Sequence, residues 1–141
     1  MLKIQEWLLA VDLENTKMAV EFNSYRCISD ACENFVTACK ETIEPVVLEF
    51  AEKLGIDLSK PSQLNSHHVN HGTEVFYSGK YHVMGEVIEG EYDAWDVVLG
   101  QYCFSLTNDF DMIPIVMDGP LIEISFEVVL PWVLKKTELV Q

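Results

Sequence analysis

Between Leu121 and Leu130 the even positions are Ile122, Ile124, Phe126, Val128 and Leu130, all large and apolar, while the odd positions include Glu123, Ser125 and Glu127. A two-residue period of this regularity belongs to a strand with one buried face, because successive side chains of a strand point to opposite sides. Burying these side chains contributes roughly 1.5–3 kcal/mol each as an upper bound, so the strand is expected to anchor a sheet. The same pattern sets its register, since a slip of one residue would drive both carboxylates into the core. Pro131 closes the run, having no amide hydrogen to give to a ladder.

Upstream the period is that of helices. From Ser29 the apolar positions Cys32, Phe35, Val36 and Cys39 follow i, i+3, i+4, i+7, with Ser29 or Asp30 available as N-cap and Glu33 near the positive end of the dipole. This predicts a helix over 29–40. A second is predicted over 44–54, with Pro45 in its first turn, Ile43, Val46, Val47, Phe50 and Leu54 on its buried face and Gly55 as a left-handed cap. Asp57 to His71 reads as a polar connector holding one helical turn around Pro61 to Leu64. Beyond it, Glu74 to Tyr77 and Tyr81 to Ile88 read as strands joined by a turn at Ser78-Gly79-Lys80, and Gln101 to Thr107 as a further strand. Leu2 to Glu21 admits both periods: Trp7, Leu8, Val11 and Met18 suit a helix, favoured for the first part, whereas Val11 to Leu13 and Ala19 to Phe22 alternate.

Helices first and strands afterwards indicate an α+β fold, N-terminal helices packed on a mainly antiparallel sheet formed by the C-terminal half. With 141 residues, 49% of them hydrophobic, the chain is read as one domain, 1–141, with a core large enough to need no cofactor. The opening run Met1 to Ala10 is broken by Glu6 and followed by acids rather than a small-residue cleavage site, and no uninterrupted apolar stretch reaches membrane-spanning length. The expectation is a cytoplasmic protein that binds no membrane.

Charge carries the functional hint. From Pro61 to Leu134 there are eleven acidic residues against one basic, Lys80, a formal charge of −10 out of a total of −14. Such a surface repels nucleic acid and attracts a basic protein face. The alternation in the last strand turns Glu123 and Glu127 to one side, and together with Glu86, Glu89, Glu91, Asp93 and Asp96 they make the expected partner-binding face.

Other constellations favour structural roles. Cys27, Cys32, Cys39 and Cys103 lack a C-x2-C knuckle, and Cys32 and Cys39 sit in an apolar helical stripe. They are expected to be reduced, metal-free thiols. His67 and His71 are four apart, as in a metal-binding pair on a helix, but Asn65, Ser66, Asn70 and Gly72 around them favour a solvated loop. Neither Asp93-Ala94-Trp95-Asp96 nor Asn108-Asp109-Phe110-Asp111 has the frame of a calcium loop, although an aromatic flanked by acids also suits an anchor for a basic partner. The common phosphate-binding, nucleophile-elbow and redox signatures are missing from the sequence.

The words Trp7 to Lys17 (WLLAVDLENTK), Cys32-Glu33-Asn34-Phe35, Lys53 to Lys60 (KLGIDLSK) and Leu130 to Leu134 (LPWVL) resemble a group of small uncharacterised bacterial proteins for which no activity is known. The resemblance implies a further cysteine where this chain has Ser29, which removes a ligand from any metal site built there. Three readings follow from the residues. The leading one is a non-catalytic acidic domain of the immunity-protein, antitoxin or inhibitor type, docking on a basic partner. The alternatives are a small enzyme using Glu123, Glu127 or a histidine in a pocket, and a metal-supported regulatory domain using the cysteines and histidines.

Overall fold

The computed structural model describes residues 1–21, 29–110, 117 and 119–134. In chain order the elements are β1 (Leu2–Ile4), β2 (Trp7–Val11), α1 (Leu13–Glu21), α2 (Asp30–Thr42), α3 (Pro45–Leu54), β3 (Gln63–Val69), a 3-10 turn (Asn70–Gly72), β4 (Glu74–Glu89), β5 (Val97–Leu99), β6 (Tyr102–Thr107) and β7 (Leu121–Pro131). The strands form one seven-stranded sheet in the order β1-β2-β4-β7-β6-β5, with β3 also on β4, and every strand pairing is antiparallel. The long strand β4 therefore pairs with β7 along one side and shares its other side between β3 and β2.

This is the expected α+β architecture. The even positions of β7, Ile122 to Leu130, are all buried. They pair with Val75, Tyr77, Tyr81 and Val83 of β4, and Phe35, Phe50 and Leu54 from the helices complete the core. In α2, Ser29 Oγ accepts from the Cys32 amide. Its buried residues are Cys32, Asn34, Phe35, Ala38 and Cys39; Asn34 takes the place expected of Val36, which is exposed. Asn34 donates to the Tyr77 hydroxyl and the Pro131 carbonyl and accepts from the Val133 amide, tying the helix to two strands. Gly55 closes α3 at φ 78°, the left-handed cap its position required.

Four local expectations are corrected. The N-terminal segment begins as a hairpin, because Trp7 and Leu9 enter the core on a two-residue period; the helix follows it, burying Thr16 and Ala19 and leaving Met18 exposed. Residues 63–69 form the strand β3, so His67 and His68 stand exposed on a strand and only His71 sits in the turn after it. Ser78-Gly79-Lys80 is the interior of β4, not a turn. A Cβ on Gly79 would lie 1.9 Å from the Gln63 carbonyl oxygen, so this glycine serves close backbone approach. Cys32 is disulfide-bonded, while Cys39 and Cys103 are free; Cys27 lies outside the described residues. Disulfides are rare in a reducing compartment, so the reduced state expected of the thiols fails at Cys32. No helix among the described residues is long and apolar enough to cross a membrane.

Candidate functional site

Directly paired residues on neighbouring strands point to one face. The face turned away from the core consequently carries Lys80 and His82 of β4, Glu123, Ser125 and Glu127 of β7, and Cys103, Ser105 and Thr107 of β6. Glu123 and Glu127 do share this face, but their surroundings differ completely. Glu127 is exposed. Glu123 is 1% exposed, which corrects its expected place on an open acidic surface. The chain after β6 returns across it, and the Phe110 amide donates to Glu123 Oε2 at 2.9 Å. Thr107 Oγ1 donates to Oε1 at 2.5 Å, His82 Nε2 lies 3.1 Å from Oε2, and Lys80 Nζ lies 3.6 Å from Oε1 while also pairing with Asp109.

Thr107, Phe110, His82 and Lys80 thus crowd around this one buried carboxyl group. His82 is itself 2% exposed. Burial pulls its pKa below the ordinary 6.5 despite the opposing hydrogen bond and charge of Glu123. Asp109 is held below the usual carboxylate range by hydrogen bonding with Glu123 and with Lys80. The cavity beside His82, lined also by Lys60, Ser62 and Tyr81, measures about 10 Å³, room for about one water. Among the described residues this cavity is too small for a substrate.

The open acidic surface lies elsewhere. Glu86 pairs with Ala10 and Glu89 with Leu8, with Ile88 as the extra residue of a bulge between them. That bulge turns two glutamates three positions apart onto the same face, which a regular strand would not do. Glu91 and Asp93 follow, exposed, and between the acids stand Ile88 at 43% and Tyr92 at 44% exposure. The loop is fixed where it leaves the strand: the Asp93 amide donates to the Leu106 carbonyl, Tyr92 bridges to Leu106, and Trp7 Nε1 donates to Asp96 at 3.1 Å. Asp96 is therefore half-buried and engaged. Among the described residues no Lys, Arg or His forms an ion pair with Glu86, Glu89, Glu91, Asp93 or Glu127.

Glu127 sits opposite Ser78, eight residues along β4 from Glu86, or about 26 Å in an extended strand. The seven acids expected on one face thus divide into a ridge of four, an engaged Asp96, a buried Glu123 and a distant Glu127. Sequence reasoning missed Ile88 and Tyr92 as exposed neighbours of the acids, and His82 and Lys80 as members of a buried cluster. The polar alternation Ser78, Lys80, His82 in β4 was the available signal for the latter. A groove of about 580 Å³ adjoins the ridge, with Asp12 and Glu86 on its walls and Val11 and Met84 among its apolar lining. Among the described residues no group of three or more His, Cys, Asp or Glu could hold a metal ion. No family model, curated protein or solved structure matches the chain.

Proposed function

We propose that this chain is a non-catalytic, acidic protein-binding domain of the immunity-protein, antitoxin or inhibitor type, and that the ridge Glu86 to Asp93 docks on a basic partner. The carrying observation is the interleaving of four acids, which form no ion pair with Lys, Arg or His among the described residues, with two exposed apolar side chains, Ile88 and Tyr92. Charges at a rim accelerate encounter and set specificity, while buried aromatic and aliphatic anchors slow dissociation. The anchored loop limits the ordering cost of binding. The groove between Asp12 and Glu86 suits the stem and head of a lysine or arginine. The enzyme reading is the weaker one, because Glu123 is enclosed and saturated with donors and Glu127 lies outside that cluster.

The test is recovery of partners from the native host at low and high salt, followed by association and dissociation kinetics. Glu89→Lys with Glu91→Lys is expected to slow association at least tenfold at low salt, and Tyr92→Ala to speed dissociation. Unchanged kinetics in both variants for every recovered partner would sink the assignment of the ridge.

A further inference from the structure

We propose that His82 and Glu123 form a proton-sensitive latch that holds residues 108–110 against the sheet and releases them on acidification. The covering segment is fastened at two points. Phe110 gives its amide to Glu123 and stacks on the His82 ring at 6.5 Å between centroids, while Asp109 pairs with Lys80. Glu123 accepts from Thr107 and Phe110, and His82 Nε2 lies 3.1 Å from its Oε2. The other ring nitrogen, Nδ1, is buried and has no hydrogen-bond partner among the described residues.

In the doubly protonated ring both nitrogens carry N–H, and the one on Nδ1 would meet no protein acceptor among the described residues while the segment stays down. Among the described residues the charged and titratable groups around the ring are Glu123 on β7, Lys80 on β4 and Asp109 on the covering segment, with Lys60 and Tyr81 at the wall of the adjoining cavity. From α1 that cavity receives only Ala19 and Val20. Two carboxylates against one nearby ammonium favour the imidazolium, but burial outweighs them and His82 stays neutral below its ordinary pKa of 6.5.

Once the segment lifts, water reaches the ring and it titrates normally. The opened form therefore binds more protons than the closed form between the lowered value and 6.5. Above that window the latch is insensitive to pH; within it, opening grows by up to tenfold per unit of acidification.

Hydrogen exchange of the Phe110 amide, corrected for its intrinsic rate and measured on the full chain from pH 8 to 5, reads the latch directly. Protection is expected to be constant above about pH 6.5 and to fall by up to tenfold per unit below it. His82→Gln keeps an N–H for Glu123 but cannot titrate, so its profile is expected to be flat. A flat wild-type profile, or an unchanged slope in the variant, overturns the proposal. Should the variant fail to fold, imidazole titration of the wild-type protein by NMR decides. A His82 midpoint below 6.5 that tracks the loss of protection supports the latch, and any other midpoint defeats it.

Discussion

Glu123 and Glu127 are the same residue type, four positions apart on one face of one strand, and the structure gives them opposite fates. Glu127→Lys is expected to change unfolding free energy by no more than about 0.5 kcal/mol, as an exposed substitution does. Glu123→Lys sets a second ammonium against Lys80 and leaves the part-buried Phe110 amide and the buried Thr107 hydroxyl without their acceptor, for a loss of about 3–5 kcal/mol. Urea denaturation of the two variants checks the contrast, and equal costs would refute the buried network. Their shared side was legible in the sequence, because alternation fixes the face. The burial was not, because the covering group comes from Phe110, thirteen positions earlier. Asn34 repeats the lesson: its partners lie 43 to 99 positions away, so a helical stripe read from apolar residues alone selects Val36 instead.

At the level of elements, α2, α3 and β7 were legible because each carries its apolar core residues on its own period. The strand β4 was not, since Gly79 between two apolar runs carries the same signature as a hairpin turn. In the structure its φ is not in the left-handed region, and what demands glycine there is the Gln63 backbone. Gly79→Ala is accordingly expected to destabilise the fold by about 2–4 kcal/mol and to expose the amides of β3 to exchange before those of β7. Loss of protection confined to β7 would contradict that assignment. The N-terminal hairpin was obscured for a related reason: Trp7, Leu8, Val11 and Met18 satisfy helical spacing, and only the tertiary pairing of β2 with β4 decides between the periods.

For the molecule as a whole, a formal charge of −14 stores self-repulsion that the apolar core must offset. The ridge concentrates part of that repulsion, because Glu86 and Glu89 are turned to one face by the bulge at Ile88 and Glu91 and Asp93 follow directly. If the ridge exists for a partner rather than for folding, removing its charge should help the free protein. Glu89→Lys with Glu91→Lys is therefore expected to raise the midpoint of thermal unfolding by a few degrees at low salt, on the scale of about 1 kcal/mol for a chain of this size. It should also flatten the rise of that midpoint with added salt, since less repulsion remains to be screened within a Debye length of about 8 Å at physiological ionic strength. Scanning calorimetry at two salt concentrations checks both effects. A variant that is less stable than the parent at low salt would mean that these glutamates support the fold, and the acidic ridge would then need no partner to explain it.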